Sequence, residues 1–95
     1  MNINSIQQKT TSIFNEYEVI YAGLFGSCAR NQDNRESDID IMVKLGKPMG
    51  MFLYMRFVND LESALQRKVD IMTENSMNKH VKPYVMKDIK TIYEK

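Results

Sequence analysis

Between Gly26 and Asp40 the chain reads GSCARNQDNRESDID, a Gly-Ser turn joined by a short polar loop to an Asp-x-Asp pair. Glycine allows a ligand to approach the backbone closely, and the start of a helical turn leaves N–H donors free for phosphate oxygens. Asp38 and Asp40 are expected two apart on a strand and hence on the same side of a sheet. Paired carboxylates suit Mg²⁺, which takes oxygen ligands from one or two carboxylates, phosphates and water. Two such ions about 3.5–4 Å apart serve in-line displacement at phosphorus. The chemistry to expect is magnesium-dependent phosphoryl or nucleotidyl transfer.

Asp70 is the third candidate, set between Val69 and Ile71 in a run where an unpaired charge would be costly. Three carboxylates on one face repel each other, which raises pKa values until cations arrive. Gly26 and Ser27 form the phosphate side, the serine hydroxyl adding a bond to a β- or γ-phosphate. No Gly-Lys-Ser/Thr follows, so this is not a Walker loop. Arg30 and Arg35 can neutralise triphosphate charge or stand as solvated charges. Cys28 has no His/Asp pattern to activate it and reads as a spectator. His80, the one histidine, lacks ligand-spaced companions.

These residues need elements to hold them. About Asn4 to Asn15, with Ile6, Ile13 and Phe14 on one face, predicts an amphipathic helix. Val19–Phe25 is apolar on both alternating sets, as in a central strand covered on both faces. Ser27 caps a short helical turn to about Asn31, and Asn31–Glu36 reads as loop. In Asp38–Leu45, Ile39, Ile41 and Val43 alternate with the aspartates. Gly46-Lys47-Pro48 ends that strand. Met51, Tyr54, Val58, Leu61 and Leu65 then mark a helix from about Met49 to Gln66, widened by Phe57 and Ala64. Phe52 and Met55 fall off that stripe, as a partner surface or as part of a broad core face. A strand follows at about Lys68–Thr73. Pro83 opens a helix to about Asp88, with Val81, Tyr84 and Val85 on its apolar side. Thr91–Tyr93 makes a last edge strand. The eight methionines read mostly as packing material. The order is α-β-α-β-α-β-α-β.

Ninety-five residues fit one small domain, 1–95, and 43% hydrophobic residues suffice for a core. A net charge of +1 gives no bulk attraction to nucleic acid or an anionic membrane, and no sequence-specific nucleic-acid binding is expected. No apolar run approaches the roughly 18–20 residues of a membrane span. The N-terminus lacks a signal-peptide pattern. One cysteine excludes an intrachain disulfide, and a cytoplasmic location is expected.

The combined motif resembles the minimal nucleotidyltransferase (MNT) group of the DNA polymerase β-like nucleotidyltransferase superfamily. Its pattern is Gly-Ser-x-Ala-Arg-Gly, a loop, Ser-Asp-x-Asp, then an acidic residue on a later strand. Here that is Gly26-Ser27-Cys28-Ala29-Arg30, Ser37-Asp38-Ile39-Asp40, and Asp70 in VDIMT, with KPYVMKDIKTIYEK similar to the family's end. Asn31 departs from the family glycine, and asparagine tolerates left-handed backbone. The resemblance implies an α/β (α+β) fold, a small mixed β-sheet of about three or four strands with flanking helices. It further implies attack on the α-phosphorus of a Mg²⁺-bound nucleoside triphosphate, ATP by family analogy, with pyrophosphate leaving. Asp38 and Asp40 would hold two ions, and Asp70 would bind one and prepare the attacking hydroxyl. Gly26, Ser27, Arg30 and Ser37 would bind the nucleotide. Many stand-alone MNT proteins are antitoxins that transfer AMP to a tyrosine of a HEPN-type toxin, and that partner is expected here. Two other readings stand beside it: a small-molecule, aminoglycoside-type nucleotidyltransferase, and a non-catalytic antitoxin that neutralises its partner by contact.

Overall fold

Asn2 starts the first helix, its side-chain oxygen accepting the Ser5 backbone N–H at 2.7 Å. This computed structural model describes residues 2–26 and 38–95. Helix α1 spans Ile3–Glu16 and buries Ile6, Thr10 and Phe14, one stripe at a four-residue spacing. The Thr10 hydroxyl donates to the Ile6 carbonyl, 2.7 Å away, so its burial leaves no orphaned polar atom. Strand β1 (Val19–Phe25) and strand β2 (Ile39–Leu45) follow. Helix α2 (Met51–Leu65) leads to strand β3 (Val69–Thr73) and a short 3₁₀ turn at Glu74–Ser76. Helix α3 (Lys82–Asp88) and strand β4 (Lys90–Glu94) complete the order.

The strands form one mixed sheet in the order β3-β2-β1-β4. β1 pairs antiparallel with β2 and β4, while β2 and β3 are parallel. Helix α2 is the crossover that parallel pairing requires. The expected small mixed sheet with flanking helices is therefore present, with four strands among the described residues. The expected helical turn over Ser27–Asn31 and loop over Asn31–Glu36 lie outside the described residues.

The core lies between one sheet face and helices α1 and α2. Ala22, Leu24, Ile39, Ile41, Val43, Val69 and Ile71 meet Ile6, Phe14, Phe57, Leu61 and Leu65 there. Each large side chain so buried contributes on the order of 1.5–3 kcal/mol. Phe14 meets Phe57 edge-on with centroids 6.1 Å apart, and Tyr17 lies 5.1 Å from Phe57. Such pairs lock α1 against α2.

Tyr17 also ties the helices by polarity, its hydroxyl donating to Asp60 Oδ2 at 2.6 Å. Burial, then that hydrogen bond and the Asp60 charge, push the phenol up to about 12. The folded protein thus holds this proton more tightly than the unfolded chain. The stabilisation is complete below pH 10 and is lost as pH rises through about 12. Tyr17→Phe should cost about 1 kcal/mol at pH 7 in urea denaturation and flatten the decline above pH 10. An unchanged alkaline decline in the variant would show that another group causes it.

Several expectations need correction. Strand β1 is less fully covered on its non-helical face, since Ile20 on it is 43% exposed and, among the described residues, the short helix α3 rests there. Met51 is exposed at the first turn of α2, so the core stripe is centred on Phe57, Leu61 and Leu65. Tyr84 and Val81 are exposed, and α3 buries no residue, because the helix lies on the thinly covered face of the sheet. Met51, Met55 and Met86 are likewise exposed, so packing accounts chiefly for Met42 and Met77. Phe52 stands 89% exposed, which removes it from the core face.

Candidate active site

Two strand registers assemble the site. Across the antiparallel β1–β2 pair, Phe25 lies opposite Asp40, and directly opposed residues share a face. Gly26 therefore arrives beside Asp40 whatever path the intervening chain takes. Across the parallel β2–β3 pair, Asp40 lies opposite Asp70. Neighbouring strands run about 4.8 Å apart, so the two aspartates stand side by side. Their neighbours Ile39, Ile41, Val69 and Ile71 are buried in the helical core, which sends both carboxylates to the other face.

Asp38 sits one residue before β2 and is exposed, so the Asp-x-Asp pair straddles the strand end instead of lying wholly within the strand. Asp70 is exposed on the edge strand β3. The desolvation argument for Asp70 therefore does not hold, because its side chain is exposed on an edge strand that no layer covers among the described residues. Its place opposite Asp40 is what recommends it. Ser27, Arg30 and Ser37 lie outside the described residues, as do Cys28, Asn31 and Arg35. His80 is exposed, its backbone N–H donating to Asn78 Oδ1 at 2.7 Å.

Asp40 is the electrostatic centre. Its carboxyl is raised above the ordinary carboxylate range, first by burial, then by the charges of Asp70 and Asp38. Gly26 has φ of +72°, and a Cβ placed there would fall on Asp40 Oδ2. Glycine thus permits both the turn and the closeness of the carboxylate.

The donors are all hard oxygens, as magnesium prefers. Among the described residues no three acidic, histidine or cysteine side chains converge as a ready-made cation cage. Magnesium needs no such cage when phosphate oxygens and water complete its shell, so one or two carboxylates suffice. Burial is the first cause of the raised Asp40 carboxyl, and the repulsion that adds to it is what a cation relieves. The donor set fits a cation that arrives with a polyphosphate.

Other residues around the site, on either face of the sheet, were given no functional role from sequence. Phe25 adjoins Asp40 by register. Tyr54 on α2 donates to the Ile71 carbonyl at 3.1 Å, next to Asp70, and burial followed by the Asp70 charge raises its phenol. Tyr84, Val85 and Asp88 on α3 line a pocket with Phe25 and Gly26. No local spacing announces these contacts, since each depends on elements far apart in the chain. A larger pocket of 530 Å³ at the opposite end of β2 includes Lys44 and Lys47. Both lysines are ion-paired, to Glu74 and Glu18 respectively, each at 3.3 Å, which distinguishes that pocket from an open phosphate cradle.

A family model described as polymerase beta, nucleotidyltransferase matches residues 8–95. The chain belongs to that family. This nucleotidyltransferase is 36% identical over 88 residues to a Methanocaldococcus jannaschii protein named as a candidate protein adenylyltransferase, covering 93% of this chain and 95% of the relative. It is also similar to a chain of a toxin–antitoxin crystal structure with AMP-PNP, at 24% identity and TM-score 0.77, over 100% of this chain and 75% of that one. A chain of the complex between an MNT antitoxin and a tri-AMPylated Shewanella oneidensis HEPN toxin matches at 20% identity and TM-score 0.73, covering 98% and 73%. The two structural likenesses establish the nucleotidyltransferase fold, on which the carboxylate face described above is built.

Proposed function

We propose that this nucleotidyltransferase is a magnesium-dependent protein adenylyltransferase that transfers AMP from ATP to a tyrosine of a HEPN-type toxin and thereby acts as its antitoxin. The observation that carries the reading is the Asp40–Asp70 register beside Gly26, a carboxylate pair facing a phosphate turn. The name of the M. jannaschii relative supports a protein acceptor, and the toxin–antitoxin complexes with AMP-PNP and with AMPylated toxin support the nucleotide and the partner.

In this reading Asp38, Asp40 and Asp70 hold up to two magnesium ions, and Gly26, Ser27, Arg30 and Ser37 bind the triphosphate. Bound magnesium supplies charge neutralisation at the phosphates and a more acidic acceptor hydroxyl. Asp70, exposed at the sheet edge, is open to an incoming acceptor and takes its proton. The new bond joins the tyrosine oxygen to the α-phosphorus. The bond from that phosphorus to the α,β-bridging oxygen breaks, and pyrophosphate leaves. The chain 1–95 acts as a single domain, with the partner presenting the acceptor. We place it in the cytoplasm with its toxin. No helix among the described residues is long and apolar enough to cross a membrane.

The test is incubation with Mg²⁺, ATP and the protein encoded by the neighbouring gene as the candidate toxin, followed by intact-mass analysis. One or more AMP units should appear on the toxin, and Asp38→Ala should abolish them. Unmodified toxin within a stable complex would instead favour neutralisation by contact.

A further inference from the structure

The face that carries Asp40 is walled on one side. Helix α3 rests against β1, and Ile89, the residue that ends the helix, packs on Gly23 so closely that a Cβ there would lie 2.6 Å from Ile89 Cγ1. Gly23 and Phe25 are two apart on β1, so both point to the side that α3 covers. That is also the side of Asp40, Phe25's register partner. The helix and the carboxylates thus border one trough, with Gly26 between them.

At the foot of the wall is a pocket of 180 Å³ lined by Phe25, Gly26, Tyr84, Val85 and Asp88. Sites for whole drug-sized ligands run from roughly 300 to 1,000 Å³, so this one suits a single ring system and not a whole nucleotide. Tyr84 and Asp88 are one turn apart on α3 and share a face. Tyr84 is 77% exposed, an aromatic face left open beside the glycine of the phosphate turn. An exposed tyrosine ring beside an aliphatic side chain is a stacking platform that accepts any flat heterocycle.

We propose that this pocket receives the nucleobase of the triphosphate, with Tyr84 stacking on the ring and Val85 and Phe25 closing the pocket. The proposal rests on the nucleotide-binding reading of the Gly26–Asp40 face and adds the residues that recognise the other end of the substrate. The triphosphate lies over Gly26 towards the carboxylates, and the base turns the opposite way, against α3. Tyr84 therefore sets affinity for the base without touching the reacting phosphorus.

The experiment is calorimetric titration of the full chain with Mg²⁺ and AMP-PNP, and separately with Mg²⁺ and tripolyphosphate, which has no base. Stacking on one aromatic residue is worth about 1–3 kcal/mol, or roughly 5- to 150-fold in affinity. Tyr84→Ala should weaken AMP-PNP by about tenfold or more, leave tripolyphosphate unchanged, and be rescued by Tyr84→Phe. Equal losses for both ligands would mean a disturbed fold or phosphate site and would overturn the proposal. So would an unchanged AMP-PNP affinity, including the case where Tyr84→Ala weakens only the complex with the toxin and marks α3 as a docking surface. A wild-type chain that binds neither ligand would sink the nucleotidyl-transfer reading as well. Tyr84-dependent AMP-PNP binding without transfer to a toxin would uphold the pocket and remove only the protein acceptor.

Discussion

Asp40→Asn should abolish AMP transfer while making the cation-free protein more stable. Asp40 lies between Asp70 on the adjacent strand and Asp38 two residues before it, and burial and both charges raise its carboxyl. A carboxyl raised on folding binds its proton more tightly in the native state. Its favourable share of stability is present below the unfolded pKa, near 4, and is lost as pH rises through the raised folded value. At neutral pH the native state therefore carries a repelling charge that asparagine, of nearly the same shape, removes. In the proposed reaction, however, the transition state would lose a charged oxygen ligand for the nucleotide's magnesium. Such electrostatic stabilisation amounts to several kcal/mol, and about 4 kcal/mol corresponds to roughly a 1,000-fold slower reaction. Thermal unfolding in EDTA should place the variant's midpoint above that of the wild type, and added Mg²⁺ should narrow the gap by stabilising the wild type. A variant that is less stable in EDTA, or that retains transfer, would show that Asp40 is a structural residue and not a functional one.

Gly26→Ala should be the most damaging change of a single methyl group. With φ at +72° any Cβ is strained, at a cost on the order of 1–2 kcal/mol. The added methyl would also occupy the place of Asp40 Oδ2, so the carboxylate must rotate or the turn must open. Backbone strain lowers stability, and displacement of Asp40 lowers activity, through the same atom. Urea denaturation should show a loss of about 1–3 kcal/mol, and transfer should fall by at least about 100-fold, because small misplacements at a reacting centre carry penalties of that size. The two readouts separate the causes: a stability loss with transfer intact would mean that the turn relaxes away from Asp40. Gly23→Ala, three residues earlier and within β1, provides a contrast. Its Cβ meets Ile89 instead of a carboxylate, so it should loosen α3 without displacing Asp40.

Much of this architecture follows from local pattern. The alternation of Ile39, Ile41 and Val43 with Asp40 is enough to predict a strand with one apolar face, and β2 has it. Pro83 and the apolar residues around it mark α3 to within a residue or two, because proline suits a first turn. The family of the chain was legible for the same reason, since Gly26 and the three aspartates are read as types at a spacing. Local pattern failed where a face had to be assigned to a neighbour. Tyr84 and Val85 have the spacing of a buried helix side, yet Tyr84 stands in the open, and the Met51 end of α2 extends beyond the core.

The sequence by itself determined which residues alternate, which turn needs glycine, and which carboxylates are available for phosphoryl chemistry. These properties depend on the backbone preferences and polarity of residues within a few positions of one another. Tertiary structure alone decided that Asp40 faces both Phe25 and Asp70, that Gly26 touches Asp40, and that α3 walls the same trough. The physical reason is strand pairing across long separations. A period of two fixes the side of each residue within its strand, but only the register between strands fixes which side chains meet.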